Sequence, residues 1–308
     1  MKALVTGGAG FIGSHVVDKL VAAGHEPRIL DLSPSPYHAP GEIDTVIGDL
    51  SDAARVHEAV QGCDAIFHLA AMADVYQVAE DPARTDAVNV HGTFNLLQAA
   101  RAEGIERFLY ASTIWVYGNA PGPEPHDEDT PMILPPHFYT ATKIAGEMYV
   151  RAFETMYGVA STILRFGIPY GPRARPAAVI PAFIGKAKAG EPLTIAGDGS
   201  ATRQFVYVED LAGGMVAALA PAGKGRVYNL VGDELVSVKQ IADTVRELVA
   251  DVEIVYGPDR PVDLHFGRAS ATRAADELGW RAETRFADGV RRYVDWLAAT
   301  SGSPVASA

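Results

Sequence analysis

The sequence predicts an α/β fold in which a mainly parallel, doubly wound sheet carries helices on both faces. Short apolar segments alternate with longer segments of helical periodicity from the first residues onward, as in repeated strand–helix–strand units. A glycine-rich turn at residues 7–13 joins the first apolar segment to the first helical one. The alternation loosens after Phe166, where prolines and glycines accumulate. We therefore expect a smaller second lobe in the C-terminal half.

The elements of the first half follow from their composition and periodicity. Predicted strands, rich in apolar residues, cover residues 2–6, 27–31, 45–48, 64–70, 107–112 and 160–166. Predicted helices cover residues 11–22, 89–103 and 139 to about 156. The proline-rich segment 119–137 is predicted as a loop.

Composition narrows the class of protein. Hydrophobic residues make up 48% and charged residues 21% of 308, values ordinary for a globular protein with an ample core. The net charge of −12 argues against nucleic acid or an anionic membrane surface as the main partner. The single cysteine, Cys63, excludes an intrachain disulfide. Apolar runs fall short of the roughly 18 residues of a spanning helix, and the chain starts directly with a strand, so we expect a cytoplasmic protein.

The turn Gly7-Gly8-Ala9-Gly10-Phe11-Ile12-Gly13 lies between a predicted strand and a predicted helix. This context makes a dinucleotide-binding glycine pattern meaningful. Missing side chains let the backbone approach a pyrophosphate, and the helix N-terminus stabilises its charge. Cofactor contacts are therefore predicted at Gly7, Gly10, Phe11, Ile12 and Gly13.

Asp31 ends the second predicted strand, where a carboxylate can accept hydrogen bonds from an adenosine ribose. The same carboxylate would repel a 2′-phosphate, and the following Leu32-Ser33 offers no arginine to bind one. The sequence thus favours NAD over NADP. Asp49-Leu50 follows the third predicted strand and could meet the adenine, although aspartate is also common at a helix start.

These observations divide the chain. Residues 1–166 are predicted as a Rossmann-type NAD-binding domain, to which residues 204–231 return with a strand and a helix. Residues 167–203 and 232–300 are predicted to form the substrate-binding lobe, with helices at 237–249, 271–278 and 286–298. Residues 301–308 are small and polar and are predicted as a tail.

Tyr139 and Lys143 stand four residues apart and project from the same face of a predicted helix. Such a pair is common on any amphipathic helix. In a chain that also carries an upstream dinucleotide-binding glycine turn, however, the spacing indicates an acid/base pair at a nicotinamide. In such a pair the ammonium lowers the pKa of the phenol. No spacing of histidine, cysteine and carboxylate residues suggests a metal site.

With these residues assembled, nearly the whole chain resembles the extended short-chain dehydrogenase/reductase family, specifically its NAD-dependent nucleotide-sugar epimerases and dehydratases. The order and spacing of several short motifs carry the resemblance. Besides the glycine turn and the Tyr139–Lys143 pair, they are Asp49-Leu50, His68-Leu69-Ala70-Ala71, Asn89-Val90-His91-Gly92-Thr93, Ser112-Thr113, Val116-Tyr117-Gly118, Leu164-Arg165, Tyr170-Gly171-Pro172, Arg203 before Phe205-Val206-Tyr207-Val208-Glu209-Asp210, and Arg260 before Asp263.

The resemblance implies a role for each matched position. Thr113 corresponds to the catalytic hydroxyl, Tyr139 to the acid/base and Lys143 to the residue that holds the nicotinamide ribose. Further implied cofactor contacts are Leu69, Ala70, Ala71 and Asn89. Implied substrate contacts are Ser112, Thr113, Tyr139, Arg203, Arg260 and Asp263. A nucleotide-diphosphate sugar as substrate and a homodimer built through helices near 92–103 and 139–156 are also implied.

Three features depart from the family pattern. Ile168 stands where an asparagine usually lies, and Trp115 is bulky for a position close to the sugar. The run Pro172-Arg173-Ala174-Arg175 places two arginines at the lobe entrance. These are either solvated or face a phosphate or a sugar carboxylate, and Arg175 is taken as a candidate substrate contact.

The leading hypothesis is an NAD-dependent nucleotide-sugar 4-epimerase acting on a UDP-hexose or a UDP-hexuronic acid. Family members that dehydrate or decarboxylate sugars place acidic residues just after the catalytic threonine, where this chain has Ile114-Trp115. A 4,6-dehydratase and a uronic acid decarboxylase remain the alternatives. A non-catalytic NAD sensor has no need for Thr113, Tyr139 and Lys143.

Overall fold

A parallel sheet of seven strands forms the centre of the computed structural model, which describes residues 1–118, 120, 125–135, 137–258 and 267–300. The strands are β1 (Lys2–Thr6), β2 (Glu26–Asp31), β3 (Asp44–Ile47), β4 (Ala65–His68), β5 (Arg107–Thr113), β6 (Ser161–Phe166) and β10 (Arg226–Leu230). Their spatial order is β10-β6-β5-β4-β1-β2-β3, and every neighbouring pair is parallel. The order reverses between β1 and β4, the kind of switch point at which such sheets bind ligands.

Helices cover both faces of this sheet, because successive strand side chains point to opposite sides. Val5 and Phe67 belong to a core shared with α1 (Phe11–Ala22) and α8 (Val208–Ala217). Leu4 and Ile66 belong to a second core on the other face. The helices packed there are α2 (Ala53–Val60), α5 (Gly92–Glu103) and α6 (Phe138–Tyr157).

A third core belongs to the smaller part of the chain. This part contains a three-stranded sheet of β7 (Ile168–Tyr170), β9 (Thr202–Tyr207) and β11 (Leu235–Ser237). It also contains a two-stranded sheet of β8 (Leu193–Ala196) and β12 (Ile254–Gly257). The helices here are α7 (Val179–Lys188), α9 (Val238–Leu248) and α11 (Phe286–Ala299). Tyr170, Phe205 and Phe286 pack their rings together at its centre.

The remaining helices are short. They are α3 (Val75–Glu80), α4 (Pro82–Asp86) and α10 (Thr272–Leu278), with a π-helical turn at Ala87–His91. Among the residues described, no helix is long and apolar enough to cross a membrane.

The predicted fold class is confirmed, and three elements differ from their predictions. The strand predicted over residues 64–70 spans only Ala65–His68. The helix predicted over 89–103 begins as the π-helical turn at Ala87–His91 and becomes α-helical at Gly92. Strand β9 does not return to the main sheet, because it pairs with β7 and β11 and places Phe205 and Tyr207 in the third core. The return is made by α8 and β10. The division into two domains stays a prediction, and the tail at 301–308 lies outside the described residues.

Candidate active site

The glycine turn after β1 is tight enough to exclude side chains. Gly7 has a φ of +71°, a conformation that L residues rarely adopt. A Cβ on Gly13 would lie 2.0 Å from the carbonyl oxygen of Gly7. The turn therefore needs glycine at both positions, and its backbone is free to approach a ligand.

Helix α1 starts at this turn without a side-chain cap. Its N-cap residue is Gly10, which has no side chain that could cap the first-turn N–H groups, including those of Ile12 and Gly13. Such a helix end offers N–H donors and partial positive charge to an anion. The turn thus fits the pyrophosphate of a dinucleotide.

Asp31 lies beside the turn, at the carboxyl end of β2. Its Oδ2 accepts a hydrogen bond from the N–H of Ala9 at 3.0 Å, and its Oδ1 accepts one from Leu32 at 2.7 Å. These contacts fix the carboxylate next to the glycine turn, where it can accept further hydrogen bonds from a ribose.

Asp49 and Leu50 follow β3 and are held by neighbours within the chain. The carboxylate of Asp49 accepts hydrogen bonds from Arg84 and from Ser51. Burial alone would raise the pKa of Asp49, but these hydrogen bonds outweigh it and lower the pKa. Leu50 is buried and lies close to Gly92. A Cβ added to Gly92 would be 2.6 Å from the Cβ of Leu50. Their contact with an adenine stays a prediction.

The segment after β4 faces the glycine turn. Leu69 and Ala70 donate their N–H groups to the hydroxyl of Thr6, at 3.2 and 3.1 Å. A Cβ on Gly7 would lie 3.0 Å from the Cα of Ala70. Leu69, Ala70 and Ala71 are all partly exposed, and so border the switch point between β1 and β4.

Asn89 acts within the protein rather than at its surface. Its side chain accepts the N–H of Met72 at 2.8 Å and donates to the carbonyl of Met72 and to the hydroxyl of Thr142, each at 3.0 Å. It is 2% exposed. We infer that Asn89 fixes the segment after β4 against α6, which carries Tyr139 and Lys143.

Thr113, Tyr139 and Lys143 come from two neighbouring elements. Thr113 ends β5, where its hydroxyl accepts the N–H of Trp115 at 3.2 Å. The ammonium of buried Lys143 donates to the carbonyl of Ala111 at 2.9 Å, so α6 is tied to β5 at this level. The same ammonium lies 5.9 Å from the centre of the Tyr139 ring.

The pKa values of this pair differ from those expected from the sequence. Burial raises the pKa of Tyr139 to about 12, although the charge of Arg175 acts to lower it. Burial lowers the pKa of Lys143 to about 8, while the carboxylate of Glu147 opposes that change. In the protein alone, the Tyr139 phenol is therefore less acidic than usual, because its desolvation outweighs the nearby charge of Arg175.

Ser112 is engaged inside the protein. Its hydroxyl donates to Oε1 of Glu147 at 2.5 Å, and the side chain is buried. A hydroxyl has a single hydrogen to donate. The implied contact of Ser112 with a sugar would therefore have to use its oxygen as acceptor.

Glu147 and Arg165 form a buried ion pair that sequence reasoning missed as part of the site. Arg165 donates from Nε and Nη2 to the two carboxylate oxygens of Glu147, at 3.0 and 2.8 Å. Its Nη1 donates to the hydroxyl of Tyr117 at 2.8 Å. Glu147 lies one turn beyond Lys143, and its partner Ser112 precedes Thr113. The pair therefore joins α6 to β5 and β6 next to the predicted catalytic residues. The sequence signal that could have found Glu147 is its spacing of four residues from Lys143, which repeats the spacing of Lys143 from Tyr139.

Comparison with known proteins identifies the family of the chain. Residues 3–231 match the model of the NAD-dependent epimerase/dehydratase family. The chain belongs to this family. It is 35% identical to UDP-glucose 4-epimerase of Mycolicibacterium smegmatis, over 96% of this chain and 98% of the relative. It is also 33% identical to dTDP-glucose 4,6-dehydratase of Salmonella typhimurium, over 98% of this chain and 94% of the relative.

A solved structure gives the same result for the fold. UDP-glucose 4-epimerase of Thermotoga maritima, determined with UDP-glucose, superposes with a TM-score of 0.92 at 31% identity. The match covers 98% of this chain and 100% of that structure. The resemblance to the extended short-chain dehydrogenase/reductase family and the prediction of NAD as cofactor are confirmed.

The family assignment gives a ligand to the site just described. The glycine turn with the α1 N-terminus and Asp31 would hold the pyrophosphate and a ribose of NAD. NAD, when bound, supplies a reversible hydride acceptor whose oxidised ring is positively charged. Tyr139 would take a proton from a substrate hydroxyl and return it, Thr113 would orient that hydroxyl, and Lys143 would supply fixed positive charge.

A small cleft lies beside the predicted catalytic residues. Trp115, Ile168 and Arg203 are among the residues that line it, and its cavity volume is only about 10 Å³. Trp115 places its ring edge-on to Tyr139, with centroids 6.0 Å apart. Arg203 donates to the carbonyl of Thr202 at 2.8 Å and borders the same cleft. Ile168, the departure noted in the sequence, makes this wall apolar.

Arg175 reaches across to the NAD-binding side. Its Nη1 contacts Oδ2 of Asp74 at 3.1 Å, and its side chain is 59% exposed. Arg260 and Asp263 lie outside the described residues. Within the described part of the chain, no group of three His, Cys, Asp or Glu side chains could hold a metal ion.

His137 is a further neighbour of Tyr139 that the sequence analysis did not select. Its ring centroid lies 6.2 Å from that of Tyr139 and 4.8 Å from that of Trp115. Its Nδ1 accepts the N–H of Thr140, which caps the start of α6. Burial lowers its pKa, so the ring is neutral at pH 7.

Proposed function

We propose that this chain is an NAD-dependent nucleotide-sugar 4-epimerase, which inverts the sugar by transient oxidation at carbon 4. The observation that carries the proposal is the pair of residues after Thr113. Ile114 is 5% exposed and Trp115 packs its ring against Tyr139. Neither side chain exchanges protons, whereas elimination of water needs an acid for the leaving hydroxyl and a base for carbon 5.

With NAD as the hydride acceptor, the side chains of Tyr139 and Thr113 suffice for epimerisation. Tyr139 would take the proton of the 4-hydroxyl as the hydride leaves carbon 4 for NAD, and would give the proton back when the hydride returns. Thr113 holds the hydroxyl beside Tyr139. The intermediate ketone has to present its opposite face before the hydride returns, so the cleft must accept two sugar orientations. An apolar wall with few directional contacts, such as Ile168 and Trp115 provide, suits that requirement.

Tyr139 needs nearby positive charge to act as a base, because burial alone raises its pKa. Arg175 lowers that pKa from the substrate side, and Lys143 lies one turn along the helix. The oxidised nicotinamide would add a third positive charge. The base is thus expected to form fully only in the NAD complex.

The alternatives are a 4,6-dehydratase and a uronic acid decarboxylase of the same family. Identity does not separate them, because the 4,6-dehydratase relative is nearly as similar as the epimerase. His137 also lies near Tyr139, but its ring is neutral at pH 7 and its Nδ1 caps α6, so it does not supply the acid that elimination needs. A sensor without turnover is disfavoured by the presence of Thr113, Tyr139 and Lys143 together.

We propose a UDP-hexose or a UDP-hexuronic acid as substrate. The Arg175–Asp74 contact is solvent-exposed, and such ion pairs contribute only about 0–1 kcal/mol. Arg175 can therefore exchange Asp74 for a carboxylate or phosphate on the substrate. Arg203 and Arg260 are proposed as contacts to the diphosphate, and Asp263 as a contact toward the nucleoside. A cytoplasmic location remains part of the proposal.

The proposed assembly is a homodimer through α5 and α6. These helices pack against each other, with the rings of Phe94 and Phe153 5.8 Å apart. They leave apolar side chains exposed, among them Phe94 at 40%, Met148 at 42% and Met156 at 69%. An apolar face of this kind on two adjacent helices is typical of a subunit interface.

Proton NMR of the purified enzyme with single nucleotide sugars tests the proposal. UDP-glucose, UDP-galactose and the two corresponding uronic acids form the panel, and the Tyr139→Phe enzyme serves as control. The expected result is interconversion of one 4-epimer pair. A 4-keto-6-deoxy sugar, or carbon dioxide from a uronic acid, would overturn the assignment. The Arg175→Gln variant then shows whether conversion of the uronic acid substrates depends on this arginine.

A further inference from the structure

Helix α1 is crossed by the segment Gly171–Arg175, which follows β7 in the smaller part of the chain. We propose that Arg173 in this segment is a positioning residue that clasps the loop at residues 32–43 to α1 and thereby slows the release of NAD. This inference is independent of which sugar the enzyme converts.

The guanidinium of Arg173 makes two contacts at once. Its Nη1 donates to Oδ2 of Asp18 on α1 at 2.8 Å. Its central carbon lies 4.6 Å from the centre of the Tyr37 ring, in the loop after β2. A planar cation can both pair with a carboxylate and stack on an aromatic face, which lysine cannot do equally well. Arg173 therefore links three separate parts of the chain.

A second connection ties the same loop to the same carboxylate. His38 contacts the other oxygen of Asp18 through Nε2 at 3.0 Å. Its Nδ1 contacts the hydroxyl of Ser35 at 2.8 Å. Asp18 thus receives one partner from the loop and one from the crossing segment. Opening the loop breaks the stacking of Tyr37 on Arg173 and the contact of His38 with Asp18.

The backbone of the segment is fixed on α1 as well. Burial lowers the pKa of His15 to about 4, so its ring is neutral, and Nε2 lies 3.0 Å from the carbonyl oxygen of Pro172. Arg173 has a φ of +68°, and among the described residues it is the non-glycine residue with positive φ. Such a conformation costs on the order of 1 kcal/mol and persists where surrounding contacts over-determine it.

The location of this clasp gives it a consequence for the cofactor. The clasped loop leaves the sheet directly after Asp31, which borders the predicted ribose site, and α1 begins at the turn that fits the pyrophosphate. The adenosine half of NAD would therefore bind beside the two parts that Arg173 holds together, the loop at residues 32–43 and α1. An epimerase must keep the reduced cofactor until the hydride returns, and a slow-opening loop serves that need.

The test compares NAD dissociation from the wild-type enzyme and from Arg173→Ala, with Arg246→Ala as a matched control. Arg246 is likewise paired with aspartates, Asp243 and Asp251, but lies on α9. Enzyme loaded with labelled NAD is chased with excess unlabelled NAD. Loss of a stacked, paired arginine should speed dissociation by about tenfold. Arg246→Ala should match the wild type.

Two further variants keep the test decisive should Arg173→Ala fold poorly. Arg173→Gly suits the positive φ while removing the side chain, and Tyr37→Leu removes the ring without changing charge; both should also release NAD faster. In the NAD-free proteins, hydrogen exchange at residues 32–43 should be faster than in the wild type. Dissociation within twofold of the wild type in the variants that fold, or unchanged exchange in this loop, would overturn the proposal.

Discussion

The ammonium of Lys143 lies 5.9 Å from the centre of the Tyr139 ring while donating a hydrogen bond to the carbonyl of Ala111 on the neighbouring strand. This arrangement fixes the charge beside the phenol independently of any ligand. It also places the ammonium where burial disfavours it, as its pKa of about 8 shows. Function and stability therefore make opposite demands on Lys143.

Replacing Tyr139 by Phe should abolish most turnover without loss of folding or NAD binding. The ring and its packing against Trp115 are kept, and only the proposed proton acceptor is removed. General acid/base catalysis contributes about 10²–10⁴-fold, so turnover should fall by at least that order. Steady-state assays with the identified substrate measure this, with Tyr256→Phe, an exposed tyrosine on β12, as control. Near-normal turnover would refute the role of Tyr139.

Replacing Lys143 by Met should reduce both turnover and NAD retention yet make the NAD-free protein more stable. The change from an ordinary pKa of 10.5 to about 8 corresponds to about 3 kcal/mol of unfavourable burial at pH 7. Loss of the hydrogen bond to the carbonyl of Ala111 costs the variant about 1 kcal/mol and offsets part of this gain in stability. Urea unfolding at pH 7 should therefore show a gain of about 1–2 kcal/mol.

The pH dependence of that gain follows from the direction of the pKa change. Between about pH 8 and 10.5 the unfolded chain holds a proton on Lys143 that the folded protein has lost. Stability of the wild type then rises with pH relative to Lys143→Met. The advantage of the variant should shrink across this window. A constant difference between pH 7 and pH 10.5 would contradict the assigned pKa.

Asp31 should determine the choice between NAD and NADP. Asp31→Ala removes the charge that repels a 2′-phosphate, together with the hydrogen bonds from Ala9 and Leu32. Asp31→Asn keeps a side-chain acceptor while losing the charge. Both variants should bind NAD more weakly than the wild type, and the ratio of their affinities for NAD and NADP should be smaller. Titrations followed by fluorescence or calorimetry measure these affinities. Equal binding of NAD and NADP by the wild type would contradict this role.

The exposed face of α5 and α6 should mediate dimerisation. Met156 and Met148 on α6 are exposed, and a glutamate at either position would place an unpaired charge in the proposed interface. Sedimentation velocity should find a dimer for the wild type and a monomer for Met148→Glu combined with Met156→Glu. Tyr256→Glu, at a comparably exposed apolar position on β12, should remain dimeric. A wild-type monomer at micromolar concentration would contradict the interface.

Much of the fold could be predicted because its signals are local. Strand β1 and helix α1 have the predicted limits, since an apolar run and a helical repeat meet at a glycine turn. Strand β9 could not be placed from the sequence, because its apolar half, residues 205–207, fits either sheet and only its pairing with β7 and β11 decides. Helix α4 is too short for its periodicity to be detected.

The candidate site shows the same limit at the level of side chains. The sequence could select Lys143 by its spacing from Tyr139, but the balance of pKa values depends on how deeply both are buried. Likewise, the hydroxyl of Ser112 donates to Glu147, a contact between β5 and α6 that only the folded structure reveals. Asp49 and Arg84 also meet through tertiary packing.

The fate of deuterium at carbon 4 of the sugar is the most direct test of the central claim, that Tyr139 and Thr113 support a reversible oxidation at that carbon and no elimination. The enzyme is incubated with a 4-deuterated UDP-sugar that it converts, in ordinary water, and the products are analysed by NMR and mass spectrometry. The account predicts the 4-epimer with deuterium retained at carbon 4 and no hydrogen taken up from water at carbon 5. Deuterium at carbon 6 of a 4-keto-6-deoxy product, or exchange with solvent at carbon 5, would contradict it.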